Sequence, residues 1–191
     1  MPARLTLVCH GATAATRAAR FPLDEPLEES AAAGTASLAA KLRHGDFVLT
    51  SPALRARQTA AAFSPDAVVD PALSDCDYGH WSGRAIAEVQ AEDPDGIAAW
   101  LADTSAAPHG GESIAQLCRR ATGWMDSRRA KNGHTIVITH AAFIRAAILS
   151  ALVAPTSSFW RIDIEPLGKV DLRSDGTRWS LRAAACENRG A

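Results

Sequence analysis

No stretch of the 191-residue sequence approaches the ~20 consecutive apolar residues that a membrane-spanning helix needs. The apolar run in the opening MPARLTLVC is too short for the hydrophobic region of a secretory signal. Charge of one sign is also lacking. The formal net charge is −1, which excludes a global basic field that recruits nucleic acid or an anionic membrane. Any anion binding must come from a local cluster of basic groups. Cysteine is sparse: Cys9, Cys76, Cys118 and Cys186 form no C-x-x-C pair and no zinc-like spacing. Without a leader they are expected to be reduced thiols in a cytoplasmic protein. There is no H-E-x-x-H and no carboxylate cluster to hold a metal, and no internal repeat or linker. The length suits one domain, residues 1–191, with a sizeable core.

What is present is an alternation of short apolar runs with helical patterns. Strands are expected at Leu5–Val8, Phe47–Thr50, Ala67–Val69 and the β-branched Thr135–Thr139. Residues 14–29 read as a loop with some helical start. Helices are expected over 30–43, from Ser51-Pro52 to about Phe63 with Ser51 as cap, over 85–92 and 96–103, from a Ser113–Gln116 capping box to about Lys131, and over 142–152. Three closing strands are expected at Phe159–Glu165, Lys169–Arg173 and Trp179–Ala183, with Asp175-Gly176 as a hairpin turn and the last residues frayed. Alternating strands and helices imply an α/β/α sandwich around a mostly parallel sheet. Such sheets bind ligands beyond the carboxyl ends of their strands. His10 follows the first predicted strand, Ser51 and Arg55 the second, and His140 the fourth.

Two histidines and an arginine meeting at strand ends make a phosphate site. A neutral imidazole can attack phosphorus and hold the group as phosphohistidine, provided its other nitrogen has an acceptor. Arginine offers a planar fork of donors to the phosphoryl oxygens, and a helix N-terminus adds free N–H groups. A carboxyl must protonate the leaving oxygen and then activate water.

The blocks around these residues resemble a known family. Cys9-His10-Gly11-Ala12-Thr13 resembles the R-H-G-x-T signature of the histidine phosphatase (phosphoglycerate mutase-like) superfamily. Residues 50–60, TSPALRARQTA, are similar to its S-P-x-x-R-A-x-Q-T-A block, and residues 73–83, LSDCDYGHWSG, to L-x-E-x-x-F-G-x-W-E-G. Gly110-Gly111-Glu112-Ser113 resembles G-G-E-S, residues 136–145 resemble V-S-H-G-x-x-I-R, and Asp24-Glu25-Pro26-Leu27 matches D-x-P-L. The blocks stand in family order from the first strand to the helix after His140. The resemblance implies a small phosphatase acting on phosphate monoesters without a cofactor or metal. It implies His10 as nucleophile, Arg55 and His140 as phosphate ligands, and Asp75 as the general acid and base. Arg20, Cys9 and Gly11 fall at further phosphate-side positions.

Three departures stand out. Cys9 replaces the signature arginine; losing one preorganised donor costs on the order of 100- to 1000-fold in turnover. Asp75 replaces glutamate and is one methylene shorter. Ala141 and Ala142 replace the glycines after the second histidine, narrowing the backbone there. Arg17 or Arg20 is expected to fold over the pocket and replace the lost charge. Blander readings stand beside these: Asp75 as a turn residue, Arg57 as a solvated helix residue, Glu112 and Ser113 as helix caps, Arg145 as a partner of a carboxylate near the sheet. In the same vein Tyr78 and Trp81 pack a loop, Cys9 is a small hydrophobe, and His44, His80, His109 and His134 are surface or loop residues. Two rivals remain: a thiolate phosphatase on Cys9, for which no C-x-x-x-x-x-R loop exists, and a weakened member that binds a phosphorylated ligand or partner. The short chain argues against a mutase.

Overall fold

The computed structural model describes residues 2–42 and 44–182; Cys186 and the frayed tail expected at the end of the chain lie outside them. Six strands form one mixed sheet: β1 (Ala3–Cys9), β2 (Phe47–Thr50), β3 (Val68–Val69), β4 (Gly133–Thr139), β5 (Lys169–Ser174) and β6 (Trp179–Arg182). Their order is β3-β2-β4-β1-β5-β6. The first four in that order are parallel, and β5 and β6 add an antiparallel edge. The hairpin turns at Asp175-Gly176, as its residues predict. Asp175 Oδ1 accepts the N–H groups of Thr177 and Arg178, and Gly176 takes a φ of 96°.

The helices are α1 (Ala14–Arg17), α2 (Ala31–Lys41), α3 (Leu54–Ala61), α4 (Ile86–Glu92), α5 (Pro94–Ala102), α6 (Ile114–Arg128) and α7 (Ala141–Leu152). None is long and apolar enough to cross a membrane. Side-chain alternation along the strands sorts the core into two layers. Leu5, Leu7 and Cys9 of β1 and Val137 of β4 face a large cluster with α6 and α7. Val8, Ile136 and Ile138 face the other way, onto Ala56 and Ala60 of α3 and Leu38 of α2. Helices therefore cover both sheet faces, which is why the central strands read as continuous apolar runs.

Register positions the chemistry. Cys9 pairs with Thr139 and Thr50 with Ile138 across parallel ladders. The next residue on each strand is His10, His140 and Ser51, so all three emerge at one edge. His10 N donates to Thr139 O and Ser51 N to Ile138 O, each at 2.9 Å, extending the ladders to the site itself. Over this edge sits an aromatic cluster of Phe21, Tyr78, Trp81, Trp100, His109 and Trp160, with Trp81 and His109 ring centroids 5.1 Å apart. Gly79 is required there: its φ is 47°, and a Cβ would stand 2.0 Å from His109 O.

Some expectations are corrected. Residues 159–165 do not form a strand. A 3₁₀ turn spans Thr156–Arg161, where Phe159 and Trp160 turn into the aromatic cluster instead of alternating. Ser51 does not cap α3. The helix begins at Leu54, and Asp24 Oδ1 accepts the Leu54 N–H at 2.6 Å from another part of the chain. His109 is no surface residue; it is fully buried, and its Nδ1 accepts the Gly111 N–H. Pro94 begins α5 with Asp93 as cap, so the helix starts two residues earlier than expected.

Candidate active site

His10 sits at the carboxyl end of β1, 5% exposed. Its Nδ1 lies 2.7 Å from Gly11 O, an acceptor only, so Nδ1 carries the proton and Nε2 holds the lone pair. Burial first, then the charges of His140 and Arg55, lower its pKa to about 4, against the Gly11 carbonyl, which raises it. At neutral pH His10 is therefore an uncharged imidazole with its nucleophilic nitrogen fixed.

Arg55, in the first turn of α3, is 3% exposed and donates to four groups, His140 among them. Its Nε donates to His10 Nε2 at 3.2 Å, its Nη1 to Leu23 O at 2.8 Å, and its Nη2 to Asp75 Oδ2 at 3.0 Å. His140 lies across from His10, ring centroids 5.1 Å apart. Ser51 Oγ stands 2.7 Å from His140 Nε2. Arg55 Nη2, a donor only, lies 3.3 Å from His140 Nδ1, so Nδ1 accepts, and the imidazole N–H sits on Nε2 and donates to Ser51 Oγ; Asp75 Oδ2 is also 3.3 Å from Nδ1. Burial, then the Arg55 and Arg120 charges, holds His140 well below the usual imidazole range.

Asp75 reaches this knot from the loop after a 3₁₀ turn at Pro71–Leu73. Arg120 of α6 holds that loop. Its Nη1 donates to Ala72 O and Ser74 O, at 2.8 and 3.0 Å, and its Nη2 to Asp75 O at 3.0 Å. Glu112 takes the remaining donors of Arg120 at 2.9 and 2.6 Å. A cavity of about 420 Å³ opens from Arg55 and Asp75 to solvent, walled by Pro22, Leu23, Asp24, Tyr78 and Ser82.

The structure brings His10, Arg55, Asp75 and His140 into one cluster. It does not bring the other expected residues there as phosphate ligands. Arg20 is exposed, bonded to Gly83 O at 3.2 Å and 3.8 Å from Glu88. Arg17 is exposed and paired with Glu28. Neither folds over the pocket, because each has a partner on the outer surface. The Gly11 N–H is taken by Thr59 Oγ1 at 3.0 Å, so Gly11 contributes its carbonyl to His10 and no donor to an anion. Cys9 is 2% exposed in the apolar layer under α7. Burial, then the Asp75 charge, pushes its thiol up to about 12, which leaves no thiolate to act as a nucleophile.

Two groups were read too modestly from sequence. Ser51 is a partner of His140, not a helix cap. Glu112 does not cap α6: Ser113 does that, with Gln116 closing the capping box, while Glu112 clamps Arg120. The Glu112 of the G-G-E-S block was the available signal; Arg120 had none. Arg145 lies 3.7 Å from Asp163 and over the Phe159 ring, as a carboxylate partner would. Among the described residues no group of three His, Cys, Asp or Glu side chains converges as a metal site.

The chain also resembles known proteins. The family model of the histidine phosphatase superfamily (branch 1) matches residues 5–187. The bifunctional protein Rv2228c of Mycobacterium tuberculosis is 31% identical, over 92% of this chain and 52% of that protein, so the chain spans about half the length of this relative. The adenosylcobalamin/alpha-ribazole phosphatase of Salmonella typhimurium is 30% identical, over 85% of this chain and 86% of that one. A mycobacterial glucosyl-3-phosphoglycerate phosphatase structure superposes with a TM-score of 0.85 at 25% identity, covering 94% of this chain and 96% of that one.

Proposed function

Because this chain belongs to the histidine phosphatase superfamily, we propose that it hydrolyses small phosphate monoesters through a phosphohistidine on His10. The observation that carries this reading is the neutral His10, its Nε2 lone pair held 3.2 Å from Arg55 and its ring 5.1 Å from His140. In the first step Nε2 attacks phosphorus and the P–O bond to the leaving group breaks. Asp75, protonated, gives its proton to the leaving oxygen. Arg55 and His140 take the charge that gathers on the phosphoryl oxygens. In the second step Asp75, now ionised, takes a proton from water as the water oxygen attacks phosphorus. The P–N bond breaks, and inorganic phosphate leaves with His10 neutral again.

The relatives named as phosphatases carry substrates with unlike leaving groups, alpha-ribazole and glucosyl-3-phosphoglycerate among them. The common element is the monoester, and that is the substrate class proposed here. The wall of Pro22, Leu23, Tyr78 and Ser82 would meet the leaving group. Brief incubation with a ³²P-labelled monoester followed by denaturation tests the reading. An acid-labile, alkali-stable label on the wild type and none on His10→Asn is the expected result. An unlabelled wild type that also releases no phosphate would defeat it.

One observation favours a second reading. Cys9 supplies neither charge nor donor where the family signature has arginine, and neither Arg17 nor Arg20 replaces it. A member so weakened would bind a phosphorylated ligand without turning it over. Phosphate binding without a phosphohistidine label would select that reading.

A further inference from the structure

The guanidinium of Arg55 is tied to both halves of the proposed chemistry at once. Its Nε occupies the His10 lone pair at 3.2 Å, and its Nη2 holds Asp75 Oδ2 at 3.0 Å. The same carboxylate oxygen lies 3.3 Å from His140 Nδ1. One anionic oxygen thus sits between a guanidinium and an imidazole, beside the nucleophilic nitrogen. Those are the partners a phosphoryl oxygen would take.

We infer that Asp75 is a built-in competitor for the phosphoryl subsite: its carboxylate holds the Arg55 donor beside His140, and a phosphate monoester enters by displacing it. The inference rests on the reading of this cluster as a phosphoryl-transfer site, and it makes Asp75 a specificity-determining residue. A monoester phosphoryl brings three terminal oxygens and up to two charges, against the single charge and single engaged oxygen of Asp75. It can take the Arg55 fork more completely. A diester, with one charge and two terminal oxygens, gains far less by the exchange. Displacement also releases Arg55 Nε from the His10 lone pair and turns the Asp75 carboxyl toward the cavity where the leaving oxygen lies.

The local structure allows the exchange. Asp75 Oδ1 accepts only the Cys76 N–H, at 2.9 Å, and its side chain keeps 18% exposure toward the cavity. Its backbone is clamped by Arg120, so the carboxyl can rotate while the loop stays in place. The Cys9 position sharpens the competition. With no guanidinium there, and with Arg17 and Arg20 bonded elsewhere, Asp75 and an incoming phosphoryl group must contend for Arg55.

The test is the affinity for inorganic phosphate, measured by titration calorimetry at one pH and ionic strength, for the wild type, Asp75→Asn and Asp77→Asn. Asp77 lines the same cavity but its Oδ1 is bonded to the Gly79 N–H, and it makes no contact with Arg55. Removing the competitor is expected to tighten phosphate binding about tenfold or more in Asp75→Asn. Removing a merely nearby charge should change it less than about threefold in Asp77→Asn. Unchanged affinity in Asp75→Asn, or equal tightening in both variants, overturns the inference. Thermal melts check folding, and Asp75→Ser, which removes the carboxylate with a smaller side chain, serves if the amide variant fails to fold. The readout needs no turnover. A wild type that neither binds phosphate nor forms phosphohistidine defeats the functional reading; one that forms phosphohistidine while Asp75→Asn binds no tighter defeats only this inference.

Discussion

Ser51→Ala tests how the site holds its second histidine. Ser51 is fully buried, and its hydroxyl, 2.7 Å from His140 Nε2, accepts the imidazole N–H there, which leaves the Nδ1 lone pair toward Arg55. Alanine removes the acceptor and leaves Nε2 of a residue 1% exposed without a partner. A buried polar atom stripped of its partner costs about 1–3 kcal/mol. At roughly 2–4 °C per kcal/mol for a chain of this length, the melting temperature should fall by about 2–12 °C. Activity should suffer separately, because the Nε2–H tautomer then depends on the 3.3 Å contact of Nδ1 with Arg55 alone. Loss of such a supporting partner typically lowers activity about 10- to 100-fold. Ser51→Thr separates the two effects. It keeps the hydroxyl but forces a methyl group into a filled space, at about 1–3 kcal/mol, so it should melt lower yet retain kcat/KM within a few-fold. Calorimetric melts and kcat/KM on a chromogenic phosphate monoester provide the readouts. A Ser51→Ala protein with unchanged Tm and unchanged kcat/KM would refute the assignment of Ser51 as the group that orients His140.

Further outcomes follow from the same geometry. His10 has a pKa lowered to about 4 in the folded chain, against about 6.5 unfolded, so the unfolded chain binds more protons between those values. Its contribution is present above pH 6.5 and is lost as pH falls toward 4, about 3 kcal/mol in all; His10→Asn should flatten denaturant-derived stability across that window, and an unchanged slope would count against a buried neutral His10. Cys9→Arg restores a cation beside the pocket and is expected to raise kcat/KM about tenfold or more while lowering Tm, since the side chain enters a packed layer; no gain would show that the missing cation does not limit turnover. Cys9, buried and with its thiol pushed up to about 12, should resist iodoacetamide at pH 8 until the chain unfolds. Peptide mapping that finds native Cys9 alkylated at the rate of a free thiol would contradict its placement.

The sequence made the outline of this site readable because two of its polar residues follow directly on apolar strands and the family-like blocks mark the others. His10 after β1 and His140 after β4 fall where parallel sheets present chemistry, at their carboxyl ends, while Arg55 and Asp75 stand out through the blocks they belong to. What stayed hidden was everything decided by contacts between distant segments. Arg120 looks like any charged residue on an amphipathic helix, yet all its donors go to Glu112 and the Asp75 loop. Arg20 is expected at the pocket because it falls at a phosphate-side position of the family the chain resembles, but Phe21 beside it turns into the aromatic cluster and Arg20 outward to Gly83 O and Glu88. The stretch 159–165 carries strand-forming residues, and the aromatic cluster overrides that propensity by giving Phe159 and Trp160 rings to pack on. The departures at Cys9 and Asp75 could each be named from sequence, but not their connection. Burial turns Cys9 into core, which leaves Arg55 as the cation that Asp75 engages, and the carboxylate lies on the donors that a phosphoryl group would use. On the proposed phosphatase reading the missing arginine thus matters twice: it removes a donor from the anion, and it leaves the remaining one contested.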